Sequence, residues 1–239
     1  MRCVALVGDG RMGTVLEGLC RADGIAVAGM VGPAHFPRLS GIPDIAAAEC
    51  ALDFSYPGNL EPMLEDAARL SLPLVVGTTG LSPAQEEAIR EAARVLPIVR
   101  AENFSMGVTV MLRLARQAAE ALSEYDAELV ETHHRMKEDA PSGTAKALLR
   151  AVDPEGAHPL VYGREGRPGK RGREIGVHSL RGGTVAGEHS LRFFGPMEEL
   201  ELRHRADSRE VFAQGALRAA AFAAKAAPGY YTMEDVLFG

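Results

Sequence analysis

Between residues 2 and 102, short apolar runs alternate with stretches whose apolar positions recur at helical spacing. RCVALV (2–7) is a buried-strand pattern; it runs into Gly8-Asp9-Gly10-Arg11-Met12-Gly13, and Val15, Leu16, Leu19 and Cys20 then mark one face of a helix. IAVAGMV (25–31), ALDFS (51–55), LPLVVG (72–77) and LPIVRAE (96–102) read as further strands. NLEPMLEDAARL (59–70) and LSPAQEEAIREAARV (81–95) read as helices, the second with Ser82 as N-cap and Pro83 at the first helical position. Strands alternating with helices predict a parallel sheet covered on both faces.

After residue 104 the pattern changes. A helix over 107–125 leads into the strand-like AELVETHH (127–134), a polar loop and a short helix over 144–152. Three runs, GVHSL (176–180), TVAGEHSLRFF (184–194) and EELELRHRA (198–206), look like antiparallel strands; the last sets Leu200, Leu202 and His204 against Glu199, Glu201, Arg203 and Arg205. An Ala-rich helix over 208–227, with Ser208 as its N-cap, follows. The expected fold class is therefore α/β: a Rossmann-like parallel-sheet nucleotide domain (1–104 and 208–239) with an inserted α+β domain (105–207). Crossings near 104 and 207 would let the domains close over a substrate.

Composition narrows the function. The chain has 239 residues, 46% of them hydrophobic, which is enough for a stable core, and no apolar run long enough for a membrane span. A net charge of −6, no Trp and 5% aromatic residues argue against a nucleic-acid partner. Cys3, Cys20 and Cys50 show no paired spacing, so we expect reduced, buried thiols in a cytoplasmic protein and no metal site. Gly163 to Arg173 carries five basic residues and one acid, which reads as a mobile surface loop or an arm attracting anions.

Two segments carry chemistry. Gly8-x-Gly10-x-x-Gly13 closes a strand and opens a helix, where glycines admit a pyrophosphate to the helix N-terminus. The acid expected after the second strand is missing, since the chain reads Gly32-Pro33-Ala34-His35-Phe36-Pro37-Arg38; His35 or Arg38 could meet a 2′-phosphate, or be ordinary loop residues. Gly77-Thr78-Thr79-Gly80 lies at the carboxyl edge of the sheet. Glu131 to Thr144 (ETHHRMKEDAPSGT) gathers two histidines, an arginine and a lysine, suited to proton transfer and anion binding, before a turn that offers free amides at a helix start.

Together these segments resemble the dihydrodipicolinate reductase family over the whole chain. The most specific motif is E-x-H-H-x-x-K-x-D-A-P-S-G-T-A at 131–145, supported by GRMG (10–13), DFS (53–55), GTTG (77–80), NFSMGV (103–108), GEH (187–189), FAQGA (212–216) and YTMEDVL (231–237). The resemblance implies reduction of 4-hydroxy-tetrahydrodipicolinate, a small dicarboxylate, by NADH or NADPH in lysine and diaminopimelate biosynthesis, by a homotetramer built through the second domain's sheet. It casts His133 and Lys137 as catalytic, and His134, Ser142, Gly143 and Thr144 as substrate-binding. For the cofactor it implies Gly8, Asp9, Gly10, Arg11, Met12 and Gly13, with Gly77, Thr78, Thr79, Ala101, Glu102, Asn103 and Phe104 around the nicotinamide. The chain departs from the family in a glycine loop one residue shorter, in Gly32-Pro33 at the selector position, and in Glu102 where a small residue is common. Another imine or amino-acid dehydrogenase, or a non-catalytic NAD(P)H sensor, remains an alternative.

Overall fold

The first strand, β1 (Cys3–Val7), is buried at every position, and its side chains divide by alternation. Val4 and Leu6 enter one apolar cluster, Ala5 and Val7 another. A strand buried on both faces needs helices above and below it, and the chain supplies them in sequence. α1 (Arg11–Ala22) is followed by β2 (Ala26–Val31), β3 (Cys50–Asp53), α2 (Leu60–Leu70), β4 (Leu74–Val76), α3 (Pro83–Ala92) and β5 (Pro97–Arg100). The expected cap of α3 is present: Gln85 N–H donates to Ser82 Oγ at 3.3 Å and Gln85 Oε1 accepts from Ser82 N–H at 3.0 Å. A capping pair of this kind contributes about 1 kcal/mol.

The computed structural model describes residues 1–239 and resolves them into two units, Met1–Met106 with Arg209–Gly239, and Gly107–Ser208. The second unit holds most of α4 (Met106–Ala121), then β6 (Asp126–His133), α5 (Gly143–Val152), β7 (Leu160–Tyr162), β8 (Ile175–Arg181), β9 (Gly187–Gly195) and β10 (Glu198–Ala206). Its five strands lie in the order β10-β9-β6-β8-β7. The run at 176–180 is not antiparallel to its neighbours: β8 runs parallel to β6, from Glu128 opposite Gly176 to His133 opposite Arg181, and parallel to β7. The α5 segment between β6 and β8 is a crossover long enough to return the chain in the same direction. β9 is antiparallel to both β6 and β10.

Leu129, Val177, Leu191 and Phe193 face Leu148, Leu149 and Met111 of the helices. Two arginines of the 163–173 loop are anchored. Arg164 Nη2 donates to Glu128 at 2.9 Å and Glu174 at 3.1 Å, and Arg171 Nη1 donates to Asp126 at 2.7 Å. Glu128 lies so close over Gly176 that a Cβ there would stand 1.8 Å from its Oε2.

The chain then returns to the first unit with α6 (Glu210–Ala223), β11 (Gly229–Tyr231) and α7 (Met233–Phe238). Ser208 does not cap α6; Arg209 holds the N-cap position without a side-chain bond. The first sheet has the order β11-β5-β4-β3-β1-β2 with every pair parallel. Ala213, Ala216, Ala219, Ala220 and Ala223 give α6 a flat buried face. α1, α6 and α7 cover one side of the sheet, α2 and α3 the other. All three cysteines are free and buried.

Candidate active site

The turn between β1 and α1 is fixed by two close approaches. Gly8 has φ +104, its N–H donates to Val31 O at 2.8 Å, and a Cβ on it would meet Phe54 O at 2.6 Å. A Cβ on Gly13 would stand 2.0 Å from the Gly8 carbonyl oxygen. Only glycine satisfies the first position without strain. Gly10, by contrast, opens on empty space, and it precedes α1 with no side-chain cap and no acid in the first turn. The α1 amides are thus unclaimed by any capping side chain, which fits a pyrophosphate. Arg11 is exposed and Met12 half-buried beside this opening. Asp9 turns away from it, to the loop after β2.

A cavity of about 460 Å³ opens at the carboxyl ends of β3, β4 and β5. Phe54 and Phe104 form one wall, their rings edge to face at 5.3 Å. The Gly77 backbone lies against Phe54, where a Cβ would stand 2.3 Å from the ring. Thr78 is buried and its Oγ1 accepts Ser55 N–H at 3.0 Å; Asp53 Oδ1 accepts Ser55 Oγ–H at 2.5 Å. Burial pushes the Asp53 carboxyl above the usual carboxylate range despite those bonds. Asn103 Oδ1 accepts Ser105 N–H at 2.8 Å, Thr79 and Glu102 line the cavity, and the half-buried Ala101 immediately precedes Glu102. Phe54, Ser55, Arg209 and Phe212 also line it. Sequence reasoning gave these four no role, although DFS and FAQGA were visible motifs; Arg209 carried no signal.

In the second unit, strand alternation places Glu131 and His133 on the core face of β6, with His189 of β9 directly opposite Glu131. The His133 and His189 rings meet edge to face at 5.2 Å. Glu131 is fully buried: Oε1 accepts Ser142 N–H at 3.2 Å and Arg181 Nη2–H at 2.9 Å, while Oε2 lies 3.2 Å from His133 Nδ1 and 3.8 Å from His189 Nε2. The His133 contact is an ion-pair distance without hydrogen-bond alignment. Burial alone would raise the Glu131 carboxyl, but His133, Ser142, Ser179 and Arg181 hold it well below the usual range. Burial, then the neighbouring His133, pushes His189 down to about 4, so it is neutral near pH 7.

Glu131, His133 and His189 bring their ligand-type atoms within 4.8 Å of one another, a grouping that sequence spacing did not reveal. Arg181 already sets its charge on the same carboxylate. Ser142 Oγ is engaged twice, capping Ala145 N–H at 3.2 Å and meeting His189 Nε2 at 3.1 Å. Gly143 follows in that turn with nothing near its Cβ position, and Thr144 beside it is half-buried. Lys137 Nζ pairs with Asp139 Oδ1 at 2.6 Å, and its N–H donates to His134 O at 3.1 Å. Gly187 faces His133, since a Cβ there would stand 3.2 Å from Nε2.

Comparison with known proteins gives a consistent match. The family model for dihydrodipicolinate reductase, N-terminus, matches residues 2–104, and that for its C-terminus matches 107–237. A 4-hydroxy-tetrahydrodipicolinate reductase of Methanocorpusculum labreanum is 41% identical, covering 95% of each chain. One from Rubrobacter xylanophilus is 46% identical, covering 96% of this chain and 85% of the relative. Among solved structures, a dipicolinate-bound dihydrodipicolinate reductase from Paenisporosarcina sp. TG-14 has the same fold, with a TM-score of 0.76, 21% identity and full coverage of both chains. A probable dehydrogenase from Thermotoga maritima shares the fold at a TM-score of 0.60 and 10% identity, covering 98% of this chain and 92% of that one.

Proposed function

Because the chain belongs to the dihydrodipicolinate reductase family, and so reduces 4-hydroxy-tetrahydrodipicolinate with NAD(P)H in lysine and diaminopimelate biosynthesis, we propose that His133 and Lys137 handle its protons. The supporting observation is the setting of His133. Its Nδ1 faces the buried carboxylate of Glu131, while its Nε2 points toward Gly187, a residue without a side chain. A carboxylate behind one ring nitrogen fixes the orientation of the ring and leaves the other nitrogen for proton exchange.

Bound NAD(P)H supplies the hydride. Gly8, Gly10, Arg11, Met12 and Gly13 hold the pyrophosphate against the α1 amides, and the cavity from Gly77 to Phe104 takes the nicotinamide half. His134, Gly143 and Thr144 hold a substrate carboxylate, with the α5 amides adding positive potential. Lys137 delivers a second proton or charge, restrained until then by Asp139. Ser142 contributes by fixing the turn through its cap. Glu102 places a negative charge at the cavity rim, a departure that tunes this site without touching the proton-handling residues.

Replacing His133 by Gln tests the assignment: turnover should fall by about 10²–10⁴-fold while dinucleotide affinity is retained. Unchanged turnover would sink it.

The finer biology follows the same reading. The partner is a second copy of the chain, in a homotetramer assembled through the second unit's sheet. Leu180 and Phe194, on the sheet face away from α4 and α5, are 51% and 37% exposed, and Leu200 on the edge strand β10 is 40% exposed. Uncovered apolar residues on an open sheet face and along an edge strand invite such pairing. Three free thiols suit a reducing, cytoplasmic setting.

A further inference from the structure

Asp9 stands between the two glycines of the phosphate-facing turn, yet its carboxylate leaves that turn and lies over the end of β2. An ideal Cβ on Gly32 would be 2.5 Å from Asp9 Oδ2 and 2.9 Å from Oδ1. The carboxylate therefore fills the space that any side chain at position 32 would enter first. Ala34 N–H donates to Oδ2 at 3.3 Å and His35 Nδ1 lies 3.6 Å from the same oxygen. Oδ1 accepts no hydrogen bond from the protein.

In dinucleotide-binding folds the acid that closes the second strand accepts hydrogen bonds from the adenine-ribose hydroxyls. Here that strand ends in Gly32-Pro33, and a carboxylate arrives at the same place from the first turn. We infer that Asp9 reads the adenine ribose in this chain and selects NADH over NADPH. The inference rests on the NAD(P)H reading above and adds the preference.

The cations of the loop after β2 are engaged elsewhere. Arg38 donates from Nε to Asp66 Oδ2 at 3.2 Å, and from Nη2 to Asp66 Oδ1, Glu65 Oε2 and Pro62 O, each at 3.0 Å. His35 shares whatever charge it carries with Asp9 itself. Arg11, exposed at the start of α1, also lines the cavity with Phe54 and Thr78. A phosphate at the 2′ position would thus bring about −2 of charge against the Asp9 carboxylate, with Arg38 and His35, the cations of the loop after β2, already paired. A 2′-hydroxyl would donate to Oδ1.

Titrating the purified full chain with NADH and with NADPH, followed by cofactor fluorescence, gives both dissociation constants without turnover. The wild-type chain should bind NADH at least about tenfold more tightly, and Asp9→Asn should bring the two constants within about threefold, chiefly by weakening NADH. Asn is isosteric and keeps an acceptor for Ala34 N–H; Asp9→Ala is the second variant, and the wild-type ratio stands without either. A wild-type preference for NADPH, or a ratio that neither variant moves, overturns the assignment to Asp9 and leaves the reductase reading intact. Failure of the wild-type chain to bind either dinucleotide overturns the nucleotide reading, and the assignment falls with it.

Discussion

Gly215 of α6 lies directly against the backbone of Phe104: a Cβ at position 215 would stand 1.7 Å from the Phe104 carbonyl oxygen. The contact sets how closely the helix approaches the cavity wall formed by Phe104 and Phe54. Gly215→Ala must push one of them back. Overpacking of this kind costs about 1–3 kcal/mol, so thermal denaturation should show a lower midpoint. Because the wall moves, NADH affinity should weaken as well; a variant with normal affinity and stability would show that the helix absorbs the methyl elsewhere.

The buried histidine pair makes stability depend on acid. His189 titrates near 6.5 when unfolded and at about 4 when folded. Between those values the unfolded chain binds the extra proton, so stability is complete above pH 6.5 and declines as the pH falls toward 4. His133, Glu131, His204 and Lys137 all act on the ring; His204 is itself lowered by burial and adds in the same direction. The largest loss His189 can cause is about 3 kcal/mol. Urea midpoints measured from pH 7.5 to 4.5 should fall, and His189→Gln should flatten the slope over that range. Glu131, held below the ordinary range, contributes stability that disappears only at still lower pH.

Arg100 ends β5 as a nearly buried cation, 5% exposed, and pairs with Glu86 of α3 at 2.7 Å while donating to Val76 O and Ala101 O. Glu86 is partly exposed, so the pair is weaker than a fully buried one. Arg100→Met should cost about 2 kcal/mol, and the double-mutant cycle with Glu86→Gln should leave a coupling of about 1 kcal/mol. A coupling near zero would assign the stability to the backbone contacts alone.

Self-association has a direct readout. Phe194→Glu and Leu200→Glu alter exposed positions of β9 and β10, so the fold should persist by circular dichroism. Light scattering should report a smaller assembly than that of the wild-type chain. An unchanged mass for both variants would place the contact elsewhere.

What the sequence made legible followed from strict periodicity. β1, β3, β4 and β5 are readable because strands buried on both faces are continuous apolar runs, and α3 because Ser82-Pro83 marks its start; β2, at the sheet edge, is apolar in sequence although only Met30 and Val31 are buried. β7 and β11, three residues each like β4, lack its buried apolar run, since their positions are exposed or half-buried. The direction of β8 was misread because alternation records which face a side chain takes and not which way its neighbour runs. At the candidate site, ETHHRMK was conspicuous as a charged cluster, yet His189, which completes the buried group with Glu131 and His133, lies far along the chain and enters only through strand register. Asp9 was counted with its turn because it sits inside the glycine motif; its contact over Gly32 depends on a folded loop.

The return of the chain to its first sheet imposes an order of assembly during synthesis. β11 pairs with β5 through Gly229, Tyr230 and Tyr231, and α6 supplies one wall of the core under β3, β4 and β5. Residues 107–208 form a continuous unit that can finish as soon as they leave the ribosome. The nucleotide half, though begun first, waits with the β3, β4 and β5 part of one face and the β5 edge open until residues 209–239 emerge. A nascent chain stalled before residue 209 therefore exposes the Leu52, Val75 and Val99 part of that sheet to chaperones or to other chains.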